Sequence, residues 1–214
     1  MRKRNFALCP EGGPVIFLCT VCTLVFAVME WEILAVAALL LLFFSLNFFR
    51  DPERVVPDKK AIAVSPADGK VVRVGSGIDP LSGEERTVIC VFMNVFDVHV
   101  NRSPVAGTVQ GFEYVPGKFL NASLDKASKD NERCAMQIRD EAGDFWTVVQ
   151  IAGLVARRIV VWTDKDDELS RGERFGMIKF GSRLDLYLPS GYLPCVELGA
   201  KVLAGQSVLA KYQD

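Results

Sequence analysis

The sequence predicts a mainly β protein: a compact barrel or sandwich domain preceded by an N-terminal pair of hydrophobic helices. Two uncharged apolar runs occupy residues 14–29 and 33–49. Nearly every later segment has strand character, and residues 123–130 are the one persuasive helix candidate among them. With 214 residues, 50% of them hydrophobic and 24% charged, the chain has a globular composition. We therefore divide it into an anchor, residues 1–50, and a domain, residues 51–214.

The two apolar runs predict a transmembrane helical hairpin. They contain sixteen and seventeen residues, and only Glu30, Trp31 and Glu32 separate them. At about 1.5 Å per residue each helix would be roughly 25 Å long, slightly short of a hydrocarbon core of roughly 30 Å. A cleaved signal peptide is disfavoured because the second run follows with no break for a cleavage site. Two further arrangements also fit these runs: a hairpin buried in a soluble core, and shallow insertion from one leaflet.

The charges beside the two runs predict the orientation of the anchor. The turn between the runs is acidic, whereas the flanks outside them are basic. The basic flanking residues are Arg2, Lys3, Arg4, Arg50, Arg54, Lys59 and Lys60. Because positive charge favours the cytoplasmic side, we expect both ends of the hairpin there. The domain would then lie on the cytoplasmic face of the cell (inner) membrane.

The strands of the domain are predicted from runs rich in Val, Ile, Phe and Tyr that end at Gly, Pro, Asp or Asn. These runs are residues 70–74, 87–100, 108–115, 134–139, 145–162, 174–188 and 201–211. Residues 65–71 and 103–109 echo one another thirty-eight residues apart, as proline-started turns whose glycine precedes a strand. Chance turn chemistry would also explain this echo. Residues 198–206 add a glycine-paced pair that resembles the hammerhead strands of lipoyl-type barrels.

Charge and composition argue against several classes of function. Residues 51–214 hold 21 basic and 23 acidic side chains, so no basic excess is available to bind nucleic acid. The single histidine rules out a His-rich metal site, and the six cysteines lack the two close pairs that structural zinc needs. Cys19 and Cys22 lie in the first apolar run as small apolar side chains. Cys90, Cys134 and Cys195 are expected to be reduced core residues.

Three residues stand out as candidates for chemistry: Asp68 in the first glycine turn, His99, and Ser182 after a glycine. A Ser, a His and an Asp suggest a hydrolase. The nucleophile elbow of that class needs glycines two residues before and after the serine, where this chain has Phe180 and Leu184. Each candidate also has an ordinary explanation, as a turn-forming Asp, a half-buried His and a Gly-Ser turn. The residues alone leave catalysis and a structural role open.

Five motifs of the domain occur together in a specific order and spacing. They are Ser-Pro-Ala-Asp-Gly at 65–69, Asp-Val-His-Val-Asn-Arg-Ser-Pro at 97–104, Asn-Glu-Arg at 131–133, Gln-Ile-Ala-Gly at 150–153 and Arg-Phe-Gly-Met-Ile-Lys-Phe-Gly-Ser-Arg-Leu-Asp at 174–185. Over about residues 50–209 this pattern resembles the short, prokaryotic form of phosphatidylserine decarboxylase. The hydrophobic hairpin is similar to the anchor of that family.

The resemblance implies a self-made cofactor. Ser182 Oγ would attack the carbonyl of Gly181, an ester would replace the amide, and elimination would leave a covalent pyruvoyl group, a bound pyruvate, at residue 182. The zymogen would thus become a heterodimer of chains 1–181 and 182–214. The pyruvoyl carbonyl would form a Schiff base with the amine of phosphatidylserine in the membrane, and loss of carbon dioxide would give phosphatidylethanolamine. The resemblance therefore places the chain in phospholipid biosynthesis, and the histidine and cysteine content already argues against a metal site.

The resemblance also implies roles for three further side chains. His99 is the favoured acid and base, in self-cleavage, decarboxylation or both, and Asp68 would orient it or assist cleavage. Longer family members carry a second histidine where this chain has Arg102. Arg102 would bind the substrate carboxylate or phosphate, or else lie at the surface as a solvated arginine.

Three competing functions fit parts of the same sequence. An archaetidylserine-type ether lipid could replace phosphatidylserine as the substrate. A membrane-tethered lipoyl- or biotinyl-like carrier would use Lys179 as its modified residue, although the methionines that flank a biotinyl lysine are missing. A purely structural β domain explains the strands but not the five motifs together.

Overall fold

The computed structural model describes residues 7–117, 131–153, 158–179 and 182–213. The predicted helix at 123–130, the basic residues Arg2, Lys3 and Arg4, and Gly181 lie outside them. Contacts between Cα atoms divide the chain into two units, Met1–Glu53 and Arg54–Asp214.

The N-terminal unit is helical. A 3₁₀ turn at Pro10–Gly12 leads into α1, Gly13–Val28, and α2 spans Glu32–Phe48. Glu30 in the connecting turn has a φ of 60°, which lets the chain reverse between them. Within the described residues, the apolar helical stretch Pro10–Val28 has 19 residues and is long enough to cross a membrane, whereas the 17-residue α2 is shorter. The sequence thus predicts the apolar N-terminal helix correctly.

The second unit is built from β-strands, so the prediction of a mainly β domain is confirmed. The strands are β1 Ile62–Val64, β2 Gly69–Ile78, β3 Glu85–Met93, β4 Val100–Arg102, β5 Gly107–Val115, β6 Arg133–Asp140, β7 Phe145–Ala152, β8 Ile159–Val161, β9 Glu168–Leu169, β10 Arg174–Ile178, β11 Ser182–Tyr187, β12 Tyr192–Pro194, β13 Lys201–Val202 and β14 Val208–Tyr212. Alternate side chains of these strands enter a shared core that includes Trp146 and Phe175.

The strands form one large sheet and two small ones. The eight-stranded sheet has the order β13-β2-β3-β11-β7-β6-β5-β9 and curls into a half-barrel. The three-stranded sheets have the orders β1-β14-β12 and β4-β10-β8. All the pairings within them are antiparallel.

The two ends of the eight-stranded sheet repeat one another. From one edge the order is β13-β2-β3-β11, and from the other it is β9-β5-β6-β7; β1-β14-β12 likewise repeats β4-β10-β8. Each strand of the continuous set β4–β10 therefore has a counterpart in β1–β3 or β11–β14. The domain is an internal repeat with approximate two-fold symmetry, in which one repeat is inserted between β3 and β11 of the other.

The register and the turns repeat as well. Ala63 pairs with Ala210 as Asn101 pairs with Gly176, and a bulge interrupts both pairings at the equivalent place. In the two echoing turns, Ser65 Oγ donates to Ala67 O at 2.6 Å and Ser103 Oγ donates to Val105 O at 2.7 Å. The echo in the sequence therefore marks equivalent turns of the two repeats.

Several local expectations from the sequence need correction. The predicted runs 145–162, 174–188 and 201–211 each hold two separate strands, namely β7 and β8, β10 and β11, and β13 and β14. The run 87–100 is not one strand: β3 ends at Met93, because Asp97 and Asn94 form a turn in which Asn94 N donates to Asp97 Oδ2 at 2.9 Å. Cys90 and Cys134 are buried as expected, but Cys195 is exposed. Its neighbours Leu193 and Val196 gave it an apolar sequence context, yet it follows the edge strand β12 and faces solvent.

Candidate active site

Ser182 is the first residue of β11 and is fully buried. Because β11 lies between β3 and β7, Ser182 has Met93 opposite on one side and Ala152 on the other. Its Oγ lies 3.9 Å from the sulfur of Met93, which is a weak hydrogen-bond acceptor. The serine hydroxyl is thus held at a strand end without a strong acceptor among the contacts described for it.

His99 immediately precedes β4 and is also fully buried. Its Nδ1 lies 2.9 Å from the carbonyl oxygen of Asp97. Since a carbonyl oxygen can only accept, Nδ1 carries a hydrogen, and the neutral form of the ring would have its lone pair on Nε2. The His99 carbonyl accepts from Ile178 N at 3.4 Å, which ties the histidine to the end of β10, four residues before Ser182.

Asp68 lies in the turn before β2 and is 5% exposed. Its Oδ1 accepts from Ala204 N at 2.7 Å, and its Oδ2 accepts from Arg54 Nη2 at 2.7 Å. Burial raises the pKa of this carboxyl above its usual range, although the bonds from Ala204 and Arg54 oppose the shift and Asp97 adds to it. A carboxyl of this kind is suited to exchanging protons at a higher pH than an exposed Asp.

A glycine brings the Asp68 turn against the strand that faces Ser182. Gly69 has a φ of 150°, and a Cβ placed there would lie 2.1 Å from the carbonyl oxygen of Phe92. No larger residue fits without displacing β3. Phe92 is followed by Met93, the partner of Ser182, and the charge of Asp97 acts on Asp68. The structure therefore brings Ser182, His99 and Asp68 to the same end of the sheet.

A set of buried amides surrounds Met93 and Ser182. Gln150 Nε2 donates to Asn101 Oδ1 at 2.8 Å, and Asn101 Nδ2 lies 3.7 Å from Met93 Sδ. Asn131 Nδ2 donates to the carbonyl of Ala152, the partner of Ser182 in β7, at 2.7 Å. These residues come from three of the sequence motifs, which the fold gathers around one serine.

Arg102 packs against two turns, at Gly172 and at Gly205. It is 5% exposed, its Nη1 donates to Gly172 O at 3.0 Å, and its Cδ lies 3.1 Å from the position that a Cβ on Gly205 would take. Because alternate residues of a strand face opposite sides, Arg102 points away from the side taken by Asn101. Substrate binding by Arg102 stays a prediction, while the solvated surface arginine does not fit its burial.

Sequence reasoning missed Arg54 as a site residue. Its side chain is 11% exposed, and besides Asp68 it contacts Gln206, to whose Oε1 its Nη1 donates at 3.0 Å. In the sequence Arg54 is one of several basic residues after an apolar run, so its charge was assigned to membrane orientation. Asn101 and Gln150 were missed as individual residues because nothing local distinguishes them from other polar strand residues, although both lie in recognised motifs.

A buried ion pair follows Ser182 directly. Arg183 Nε donates to Asp185 Oδ1 at 2.6 Å, Nη2 donates to Oδ2 at 2.9 Å, and the two side chains are 1% and 2% exposed. Burial by itself lowers the pKa of Arg183, but the Asp185 charge more than reverses this and raises it. The guanidinium therefore stays charged, and the bidentate pair fixes the start of β11 beside Cys90, 2.9 Å from Nη2.

Comparison with known proteins shows the family of the chain. The family model described as phosphatidylserine decarboxylase matches residues 41–210. A phosphatidylserine decarboxylase proenzyme from Nitratidesulfovibrio vulgaris is 57% identical over 211 residues, covering 99% of this chain and 97% of that protein. Proenzymes of the same name are 58% identical in Solidesulfovibrio magneticus, over 100% of both chains, and 50% identical in Burkholderia mallei, over 95% of this chain and 94% of the relative.

The family match covers most of the chain and all of the residues gathered around Ser182. The relatives match over nearly their full lengths, so the likeness includes the whole domain and the N-terminal helices. The chain therefore belongs to the phosphatidylserine decarboxylase family.

Proposed function

We propose that this chain, a decarboxylase by its family, converts phosphatidylserine to phosphatidylethanolamine with a pyruvoyl group made from its own Ser182. The observation that carries the proposal is the buried Ser182 at the head of β11, gathered at one end of the sheet with His99 and Asp68. The role in phospholipid biosynthesis follows from that reaction. Family membership favours a decarboxylase over a carrier modified at Lys179 and over a purely structural domain.

The residues present fit the formation of the pyruvoyl group. Ser182 Oγ adds to the carbonyl carbon of Gly181 as a base takes its proton, the peptide C–N bond breaks, and the nitrogen of residue 182 is protonated. The resulting ester then loses the α-proton of residue 182 and its Cβ–Oγ bond, so Gly181 leaves as a carboxylate. Water finally replaces the nitrogen, which departs as ammonia. The contact with Met93 is compatible with the attack by Ser182, because the thioether sulfur is a weak acceptor and leaves the serine proton available to a base.

The proposed division of labour assigns proton transfers to His99 and Asp68. His99 in the Nδ1–H form offers a basic Nε2, and its ring is oriented by the Asp97 carbonyl. Asp68, with a raised pKa, either orients His99 or holds a proton near neutral pH more readily than an exposed carboxyl. A pyruvoyl group supplies an electron sink for decarboxylation of an amine-bearing substrate, so the chain itself needs only these proton carriers and the buried amides.

Strand pairing supports a heterodimer of chains 1–181 and 182–214. After cleavage, β11 and β13 of the short chain would remain in the eight-stranded sheet, and β12 and β14 would remain paired with β1. The short chain would thus be hydrogen-bonded to the long one in two sheets. No dissociation is expected under native conditions.

The remaining proposals concern the surroundings of the domain. Residues 1–50 would form a membrane anchor in which α1 and α2 make a transmembrane hairpin, with the domain, residues 51–214, on the cytoplasmic face of the cell membrane. The glycine-paced strands near residues 198–206 would be a lipoyl-like hammerhead. An archaetidylserine-type lipid is a second candidate substrate, because the site residues address the serine headgroup and not the lipid backbone.

Intact mass under denaturing conditions tests the proposal. We expect two chains with the masses of residues 1–181 and of residues 182–214 carrying a blocked pyruvoyl end, and carbon dioxide release from phosphatidylserine vesicles. Ser182→Ala should remain one chain without activity, because alanine has no Oγ to attack, while Ser82→Ala in the β2–β3 turn should process normally. A wild-type chain of full mass, plain or with a modified lysine, would overturn it. The same assay with vesicles of an ether lipid that carries a serine headgroup decides between the two substrates, because it compares the rates of carbon dioxide release.

A further inference from the structure

Three exposed apolar side chains belong to residues that are next in the chain to groups acting on Asp68. Val55 is 83% exposed, Phe96 is 66% exposed and Leu203 is 45% exposed. Each is the chain neighbour of a residue that acts on Asp68: Arg54 and Ala204 bond its carboxylate, and the charge of Asp97 reaches it. Large apolar side chains that cluster at one place mark an interaction site more often than single ones scattered over a surface do.

Two lysines adjoin the same place. Lys70 in β2 pairs directly with Lys201 in β13, and both are exposed. Like charges directly opposite each other across an antiparallel pair repel and destabilise the pairing. Lys70 is two residues from Asp68 and Lys201 is two residues from Leu203. We call Val55, Phe96, Leu203, Lys70 and Lys201 the docking surface.

The internal repeat supplies a control for this composition. Thr108 and Glu168 occupy the positions of Lys70 and Lys201 in the other repeat, and they pair in the same register. By the same correspondence, Ser170 takes the place of Leu203, and Asp58 stands three residues before Ala61 as Phe96 stands three residues before His99. The same backbone thus folds with polar and acidic side chains there. The fold therefore does not require lysine at 70 and 201 or a large apolar side chain at 96 and 203.

We propose that the docking surface seats the domain on an anionic phospholipid bilayer, with the apolar side chains at the headgroup–acyl boundary and the two lysines on lipid phosphates and carboxylates. Apolar side chains combined with cations are what such a surface binds. The length of the connecting chain is compatible with this seating. Val55 follows the last residue of α2, Phe48, by seven residues, and such a segment spans at most roughly 25 Å. The inference rests on the proposed membrane anchor and lipid substrate. In this arrangement the Asp68 end of the sheet would face the lipid headgroups.

A binding readout that is independent of activity tests the seating. In full-length protein reconstituted with phosphatidylserine-containing vesicles, Phe96→Trp should give tryptophan fluorescence that brominated lipids quench beyond the wild-type signal. Ile78→Trp is the matched control, because Ile78 is 63% exposed at the opposite end of β2 from the Asp68 turn. Absence of extra quenching at residue 96, or equal quenching at residue 78, would overturn the proposal.

An activity ratio provides the second test. Lys70→Gln with Lys201→Gln should lower the rate on anionic vesicles relative to the rate on a short-chain, monomeric phosphatidylserine by roughly fivefold per lysine, and added salt should reduce that difference. Phe96→Ser should lower the same ratio roughly tenfold or more, whereas Ile78→Ser should leave it unchanged. Equal losses on both substrates would indicate a structural role and refute docking. A wild type inactive on both would instead refute the proposed function, and the quenching result would still stand.

Discussion

The two repeats of the β domain share their backbone and differ in what they bury. Asp68 belongs to one repeat and corresponds to Ala106 in the other, whereas His99 belongs to that other repeat and corresponds to Ala61 in the first. Asn101 likewise corresponds to Ala63, since the two occupy the same place in equivalent strand pairs. Burying polar groups costs stability unless they are paired, and the fold manages with alanine at each of these places. The difference teaches that the polar residues serve the site and not the framework.

The places that correspond to the site lie where the two repeats meet, since Ala61 belongs to one repeat and Ala106 to the other. A cavity of about 540 Å³ there has both Ala61 and Ala106 in its wall. Its other lining residues near those alanines include Asp140 and Tyr192, which are tied into the packing: Asp140 Oδ2 accepts from Trp146 Nε1 at 2.9 Å, and the Tyr192 ring packs edge-on against Trp146. The places equivalent to Asp68 and His99 thus line an open cavity but carry no imidazole.

The largest effect that would test this contrast is expected from His99→Ala, which makes the site match its counterpart. The backbone should tolerate the change, because His99 does not have a positive φ and alanine adopts such a backbone without strain. Loss of general acid catalysis should lower turnover per pyruvoyl group roughly 10²- to 10⁴-fold. Carbon dioxide release divided by the cleaved fraction on a denaturing gel measures it.

The same gel separates the two roles of His99. A variant that stays one chain assigns the histidine to activation of Ser182, and normal cleavage with low turnover assigns it to decarboxylation. Normal cleavage with normal turnover would remove His99 from the mechanism and leave Asp68 and Arg102 as the candidates.

A smaller effect, on stability, should distinguish Asp185 from its counterpart Thr147. Asp185→Ala leaves the Arg183 guanidinium charged and buried, which should cost roughly 3–5 kcal/mol of unfolding free energy. Thr147→Val removes one hydrogen bond to a carboxylate, Thr147 Oγ1 to Asp79 Oδ2 at 2.8 Å, and should cost about 1.5–3 kcal/mol. Denaturant unfolding of both variants in the uncleaved Ser182→Ala background compares them directly. Equal losses of unfolding free energy would show that the Arg183–Asp185 ion pair stabilises the fold no more than the Thr147 hydrogen bond does.

The smallest expected effect is a shift along the pH axis. Arg54→Gln removes two interactions that lower the pKa of Asp68, so this already raised pKa should rise further. If Asp68 works as the carboxylate, the acidic limb of the kcat/KM profile should move to higher pH. Arg86→Gln is the control. Arg86 lies near the start of β3, far along the strand from Met93, and its ion pairs are with Glu84 and Asp79. An unchanged acidic limb would separate Asp68 from the titration that governs activity.

Local chemistry explains which parts of this structure could be predicted from the sequence. β-branched and aromatic runs revealed the strands, and turn residues at 65–71 and 103–109 revealed the repeat in part, because both signals are carried by neighbours in the chain. The insertion of one repeat into the other depends on pairings such as Ser182 with Met93, whose partners are far apart in sequence. Arg54 was missed for the same reason, since its role depends on a contact with Asp68 across a turn.

The place where the second repeat rejoins the first has a kinetic consequence. The inserted repeat ends at Ile178 and β11 begins at Ser182, so the proposed break falls in the short connection between repeats and interrupts no strand pairing. Before the break, folding is unimolecular, because the C-terminal strands are tethered at a high effective concentration. After it, recovery from full denaturation would require two separate polypeptides to meet, and its yield would depend on protein concentration. Cleavage would therefore convert a chain that folds in a unimolecular reaction into a pair of chains that refold only by association.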